Sequence, residues 1–300
     1  MCDRNIRNIF TATAASPTAQ RAALAKRDFQ IIADISNVEE LERDLQFHPA
    51  DLAGSTLSSD QIASYNTNGY VTGLGILDPT DVNDLRAYFD DLLQQYMNEG
   101  KDSYAISSAH MRHGRVYDLM KDARIVDVMA DLLGEEVIGW GAHFFCKMPG
   151  DGKRVSWHQD ASYWPLTPSR TATMWLAIDD ADTENACMRL IPRSHLKGHL
   201  TYRMSEDDED NVLNQTVDEA ESYGDDPVDI ELKAGQASVH SDLILHGSEA
   251  NQSTRRRCGL TLRYCAAEVQ AHMGWADKGM VVRGSDPDGH WTDQSRPLED

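Results

Sequence analysis

The sequence predicts a mainly β protein, an antiparallel barrel or jelly roll with flanking helices. Helical periodicity is confined to the stretch before residue 134. Six short β-like runs follow, at 136–148, 171–180, 186–192, 228–232, 236–246 and 258–267, each bounded by Gly, Pro, Asn or Asp. No helical pattern of about 10–15 residues separates these runs, which disfavours a parallel sheet built from βα units and favours antiparallel closure.

In chain order, residues 1–56 read as an N-terminal extension, partly disordered or helical, and residues 57–300 as the domain. The first 27 residues carry Arg4, Arg7, Arg21, Lys26 and Arg27 against Asp3 alone. That acid-poor, Ala/Ser/Thr-rich head leaves an organelle transit peptide open beside a plain frayed extension. No apolar segment follows Met1, so a secretory leader is not expected. Ser58 is placed to cap a short helix that stops at Asn68-Gly69. Asp78-Pro79 supplies a cap and a first-turn proline, after which Val82, Leu85, Phe89, Leu92, Leu93 and Tyr96 recur at helical spacing up to Gly100. A further helix over about 123–133 shows Ile125, Val128 and Leu132 and closes at Gly134. Between 205 and 226 lies an insertion with ten acidic residues and no Lys or Arg; it reads as a solvated surface segment, with an active-site lid as the alternative. Trp275, Trp291, His272 and His290 fall in a Gly/Asp/Pro-rich tail that folds across the barrel or packs on its surface.

Composition removes several classes of partner. The 300 residues hold 28 Lys+Arg and 49 Asp+Glu, a net charge of −21, and no basic run exceeds Arg255, Arg256 and Arg257. Such a chain does not seek polyanions, so no nucleic-acid or anionic-membrane partner is expected. No run of about 18 apolar residues occurs, which excludes a membrane-spanning helix. The five cysteines are scattered and show no CxxC spacing, pointing to a reducing compartment, the cytoplasm.

The chemistry concentrates in Trp157-His158-Gln159-Asp160. A His-x-Asp pair at the mouth of a strand offers one imidazole and one carboxylate to a metal ion, and a third neutral imidazole completes a 2-His-1-carboxylate facial triad. His246, in Leu245-His246-Gly247-Ser248, is the best third ligand. The spacing recurs at His240-x-Asp242, so that pair is a rival, although 240, 242, 244 and 246 would share one face of a single regular strand. Arg257 follows His246 by 11 residues, a separation that lets a returning strand bring a guanidinium beside the metal. Buried there, it asks for an acidic cosubstrate.

Together with Glu184-Asn185-Ala186-Cys187-Met188 and Ile191-Pro192-Arg193-Ser194-His195, these motifs make residues 57–270 resemble the phytanoyl-CoA dioxygenase family of Fe(II)/2-oxoglutarate oxygenases. The resemblance implies a double-stranded β-helix, the cupin-like jelly-roll barrel. It implies His158, Asp160 and His246 on Fe(II), with Arg257 and Ser248 on the distal carboxylate of 2-oxoglutarate. Ala186 and Arg193 depart from the pattern, standing where relatives commonly carry glycine. The reaction implied is hydroxylation of an unactivated C–H bond of a small metabolite by O2, with 2-oxoglutarate converted to succinate and CO2. Similar halogenases replace the ligand carboxylate with a small residue, so Asp160 speaks against halogenation. Thr173, on the strand 171–176, is a candidate hydroxyl for the 2-oxoglutarate pocket.

Substrate contacts are read from what surrounds these motifs. Trp157, Tyr163 and Trp164 either wall the pocket or belong to the barrel core, and Gln159 either faces the site or pairs across strands. Arg112, in a loop His110-Met111-Arg112-His113-x-Arg115, is either solvated or receives an anionic or zwitterionic substrate group. Two other classes stay open: a non-catalytic cupin-like metal- or ligand-binding protein, and a metal-dependent hydrolase, which leaves Arg257 without a task.

Overall fold

The computed structural model describes residues 38–300; residues 1–37, and with them the transit-peptide reading, lie outside. Ser58 has extended backbone and accepts the Gln61 N–H, while the Gln61 side chain accepts the Ser58 N–H. This capping box satisfies two helix-end donors and starts α1 (Ser59–Asn68). Gly69 closes it at φ 88°, a conformation open to a residue without Cβ. After β1 (Tyr70–Gly75), Asp78 accepts from the backbone of Thr80 and Asp81 and opens α2 (Pro79–Asn98). Two shorter helices follow, α3 (Gly114–Met120) and α4 (Ala123–Leu133), the latter capped by Asp122.

The remaining strands are β2 (Val137–Lys147), β3 (Val155–His158), β4 (Leu166–Thr167), β5 (Thr171–Ala177), β6 (Met188–Leu190), β7 (Arg203–Met204), β8 (Gln215–Thr216), β9 (Val228–Ile230), β10 (Gln236–Ser241), β11 (His246–Ser248), β12 (Arg257–Ala266), β13 (Gln270–Ala271) and β14 (Met280–Arg283). A six-stranded sheet, β1-β10-β5-β12-β2-β14, faces a four-stranded one, β3-β11-β6-β9, and every pair within them is antiparallel. This is the expected jelly roll.

Side-chain alternation decides what the barrel encloses. On β12 Cys258, Leu260, Leu262 and Tyr264 join the helices in the main core, with Met174 and Leu176 of β5 and Ala142, Phe144 and Cys146 of β2 beside them. The intervening residues therefore point to the opposite face. Arg257, Thr261 and Arg263 of β12, Thr173 and Trp175 of β5, His143, Phe145 and Lys147 of β2 and His240 of β10 all line the interior cavity. A second apolar cluster joins Trp140 and Trp164 to Trp275 and Trp291, so the aromatic tail closes one side of the barrel, with Trp291 Nε1 donating to the Val269 carbonyl.

Two expectations are corrected. The run 236–246 is not one strand: a turn at 242–244 separates β10 in the large sheet from β11 in the small one. His240 and His246 consequently approach from opposite sheets, so the single strand that spoke against the His240 and Asp242 pair does not exist. The His110–Arg115 segment is not a loop, since α3 begins at Gly114. Residues before 57 are partly anchored: Val38 is buried in the tryptophan cluster, and Arg43 Nη1 donates to the carbonyls of Ala161 and Trp164 at 2.8 and 2.7 Å. Strands β1 and β14, the two edges of the large sheet, are not among the runs read from the sequence.

Buried neutral histidines set the acid limit of the fold. Burial lowers His110 and His195 to about 4 and His143 to about 3. The unfolded chain protonates each near pH 6.5. Between these values it binds more protons than the folded chain, so this stability is full above about pH 6.5 and is lost as the pH falls towards 4. Asp242, raised to about 7 by burial, opposes the trend through its own carboxyl, but one group acts against three. Urea midpoints should fall steadily from pH 7 to pH 4.5; a flat profile would contradict the neutral burial of these rings.

Candidate metal centre

Strands β3 and β11 pair with His246 opposite His158, which brings two imidazoles face to face at the end of the small sheet. Their ring centroids are 4.1 Å apart. Nδ1 of His158 lies 2.8 Å from the Ser156 carbonyl and Nδ1 of His246 lies 3.1 Å from the Ile244 carbonyl. A carbonyl oxygen only accepts, so Nδ1 carries the proton in each ring and Nε2 presents a lone pair. Burial lowers the pKa of both rings, which keeps them neutral.

Asp160 enters from the short 3₁₀ turn Asp160–Ser162 that follows β3. Its Oδ1 lies 3.9 Å from Nε2 of His158 and 4.0 Å from Nε2 of His246. The ligand atoms of the three residues fall within 4.8 Å of one another. Burial pushes the carboxyl up, but the polar groups around it, with the Arg263 guanidinium among them, hold it well below the usual carboxylate range. Two nitrogen lone pairs and a carboxylate thus converge with no proton between them, each nitrogen standing from the carboxylate oxygen at less than twice a metal–ligand bond of about 2.1 Å. The donor set fits a divalent ion of the facial-triad kind, with room for further ligands on the cavity side.

The other end of the cavity is cationic. Arg257, first on β12, is 3% exposed, and its Nη2 sits 3.4 Å from the Ser248 hydroxyl. Its Nε has no partner, and its guanidinium lies 5.5 Å from the Trp175 ring. No carboxylate of the described residues pairs with it. Lys147 stands opposite Arg257 across β2 and β12 and donates to the carbonyls of Lys153 and Glu249. Burial and Arg257 push it down to about 7. The cavity between these ends has a volume of about 190 Å³.

The other residues singled out in the sequence divide sharply. Tyr163, Trp164 and Ser248 line the cavity. Thr173 lines it too, but its hydroxyl donates to Asp160 Oδ2 at 3.2 Å, so it braces the carboxylate instead of offering itself to a cosubstrate. Trp157 faces away, packed on the apolar cluster of Ile191, Leu200 and Leu245 with Arg189 over its ring; because His158 points inward, its strand neighbour must point outward. Gln159 is fully buried outside the cavity, donating to the carbonyls of Gly198 and Leu243 and accepting from Leu200 N. Arg112 ends the 3₁₀ turn Ala109–Met111 and does not reach the cavity. The substrate-contact readings of Trp157, Gln159 and Arg112 are therefore not carried forward.

Gln159 consequently has a bracing role that can be weighed. Gln159→Leu strands three backbone groups, each worth about 1 kcal/mol or more. A loss of about 2–4 kcal/mol in unfolding free energy is expected, with 2-oxoglutarate affinity unchanged; an affinity loss without destabilisation would restore it to the site.

Asp242 does not join the metal group. Its carboxyl accepts the Ser169 hydroxyl at 2.6 Å, away from the cavity. His240 lines the cavity with Nε2 3.8 Å from Asp160 Oδ2 and no hydrogen bond at either ring nitrogen. Val212 and Leu213 of the acidic stretch reach the cavity as well, while Glu209 and Asp218 of the same stretch clamp Arg203. Ala186 and Arg193 adopt φ 64° and 69°, the region that favours glycine. His143, Lys147 and Arg263 were missed. The signal was present along 257–263, where Arg257, Thr261 and Arg263 alternate with Cys258, Leu260 and Leu262, whereas along 143–147 the apolar Phe145 on the inner face hides it.

A family model described as phytanoyl-CoA dioxygenase matches residues 65–259. Among curated proteins, the chain is 29% identical over 179 residues to a probable alpha-ketoglutarate-dependent hypophosphite dioxygenase of Stutzerimonas stutzeri, covering 58% of this chain and 61% of that protein. It is 32% identical over 146 residues to a phytanoyl-CoA dioxygenase of Arabidopsis thaliana, covering 48% and 49%. The match thus spans about half to three fifths of these relatives. Among solved structures, the non-heme monooxygenase ThoJ superposes with a TM-score of 0.67 at 28% identity, covering 83% of this chain and 90% of that one. EctD from S. alaskensis, solved with 2-oxoglutarate and 5-hydroxyectoine, superposes with a TM-score of 0.65 over 77% and 85%; at 22% identity it speaks for the fold alone.

Proposed function

Because the chain belongs to the phytanoyl-CoA dioxygenase family, we propose that it is an Fe(II)/2-oxoglutarate-dependent dioxygenase hydroxylating an unactivated C–H bond of a small metabolite. The observation that carries this reading is the convergence of His158, Asp160 and His246 in the same cavity as a buried, unpaired Arg257. A hydrolase using the same triad has no use for that guanidinium, and a barrel that merely retained its fold has no reason to hold three unprotonated ligand atoms together. Iron with 2-oxoglutarate and O2 would supply the oxidising power, yielding succinate, CO2 and a hydroxylated product.

The chain's own part is placement. His158 and His246 hold their Nε2 atoms towards the ion because the Ser156 and Ile244 carbonyls fix the ring orientation. Thr173 and His240 flank the outer oxygen of Asp160 and keep its inner oxygen aimed at the triad. Arg257 with Ser248 receives the distal carboxylate of 2-oxoglutarate through a planar fork, which fixes the cosubstrate's direction as well as its affinity. The surrounding walls of Tyr163, Trp164 and Trp175 exclude water and leave one approach for the substrate. A cavity of about 190 Å³ suits a substrate of few atoms. We assign the enzyme to the cytoplasm, since Cys146, Cys187, Cys258 and Cys265 are all buried free thiols; no helix among the described residues is long and apolar enough to cross a membrane.

The test is succinate release under O2 with Fe(II), 2-oxoglutarate and a panel of small metabolites. One class of metabolite should stimulate release severalfold. No 2-oxoglutarate consumption under any condition would remove the reading.

A further inference from the structure

We infer that Arg263 is a second anion hook, and that the molecule to be oxidised carries a compact oxyanion, a carboxylate or a phosphonate, which Arg263 grips on the far side of the metal from Arg257. The inference rests on the oxygenase reading for the ion and the cosubstrate and extends it to the substrate class.

Arg263 lies on the inner face of β12, six residues beyond Arg257, which is about 20 Å along an extended strand. The two guanidinium groups therefore mark opposite ends of the cavity, and both line it. Arg263 is 6% exposed, forms no ion pair or side-chain hydrogen bond among the described residues, and leaves its Nε without a partner there. Its stem passes beside Gly141, where an added Cβ would stand 3.2 Å from Cδ. Its head lies 5.3 Å from the Trp164 ring and 5.9 Å from the Trp140 ring. Those faces hold the guanidinium in place but satisfy none of its five N–H donors.

A buried guanidinium left without an acceptor is expensive. Asp160 is the one carboxylate whose field reaches it. Once Asp160 serves a divalent ion and Arg257 serves dianionic 2-oxoglutarate, those four charges cancel. Arg263 then remains in excess at its own end of the cavity, as Lys147 does beside Arg257. His110, His143 and Lys278 lie close enough to feel its charge and add no anion. A planar fork offered to an aromatic-walled space matches an oxyanion bidentately, and it would hold the rest of a small molecule against Asp160 and the ion.

The test needs no knowledge of the true substrate. In the Ni(II)-loaded protein, where Asp160 is engaged by the ion, Arg263→Met should raise Tm by a few degrees, because an uncompensated buried charge gives way to a side chain of similar reach. A fall in Tm would make the tryptophan contacts the reason for Arg263 and overturn the proposal. In protein loaded with Ni(II) and saturating 2-oxoglutarate, acetate and methylphosphonate are titrated with acetamide as the neutral control. A saturable Tm rise with acetate, methylphosphonate or both, absent with acetamide and weakened about tenfold or more in Arg263→Met and Arg263→Gln, is expected. The stronger anion names the substrate's acid group. No anion effect, or an equal effect in the variants, overturns the proposal. Failure of 2-oxoglutarate to stabilise the Ni(II)-loaded wild type would instead count against the oxygenase reading, and the Tm comparison of the Ni(II)-loaded proteins still decides Arg263 by itself.

Discussion

Asp160→Ala lowers succinate release by roughly a thousandfold or more, because it removes the sole anion that the two Nε2 atoms share. A bound metal contributes several kcal/mol to such chemistry, and each 1.4 kcal/mol or so is a factor of ten in rate. Asp160→Asn is the stricter variant, since it preserves volume and an acceptor for the Thr173 hydroxyl while discarding the charge. Both variants should retain the circular dichroism of the wild type, because the core packs on the opposite faces of β5 and β12. Metal uptake followed by calorimetry should fall in parallel with turnover. Full turnover in Asp160→Asn would mean that the carboxylate is not a ligand.

Arg257→Lys weakens 2-oxoglutarate binding by about ten- to a hundredfold. The magnitude follows from losing one of two charge-assisted hydrogen bonds, worth about 1.5–3 kcal/mol, when a point charge replaces a fork. The new ammonium would also sit opposite Lys147, itself pushed down to about 7 by burial and by its present neighbour. The effect belongs mainly to KM for 2-oxoglutarate, with kcat changed less once the cosubstrate saturates. Equal affinity in the variant would place the carboxylate elsewhere in the cavity.

Local signals were legible because their causes are local. The caps at Ser58, Asp78 and Asp122 and the stops at Gly69 and Gly134 satisfy or terminate backbone groups within a few residues, so a short window contains all the physics. The triad was legible through His158, Asp160 and His246 together with Arg257, whose residue types leave few other chemistries. Sheet membership was not legible. Whether 236–246 is one strand or two depends on pairing with Thr173 in one sheet and His158 in the other, contacts more than 60 residues away. Trp157 and Gln159 show the same limit at finer grain. Adjacency to His158 in sequence suggested the pocket, but strand parity turns the first outward, and the second is engaged by the backbone of Gly198, Leu200 and Leu243.

The charge of the interior completes the account. A chain with a net charge of −21 nonetheless lines its central cavity with Arg257, Arg263 and Lys147 against Asp160 alone. The net acidity of the chain thus lies outside the cavity, and the cations inside it offer themselves to small anions. Composition therefore reports the acidic exterior and could not disclose the cationic interior.

The central claim, that one ion and 2-oxoglutarate meet between the triad and Arg257, is tested most directly by optical titration without oxygen. Fe(II) and 2-oxoglutarate added together should produce a weak visible charge-transfer band that neither produces by itself, absent in Asp160→Ala and requiring far more 2-oxoglutarate in Arg257→Lys. A wild-type protein that develops no band, or a band indifferent to both substitutions, would contradict the account.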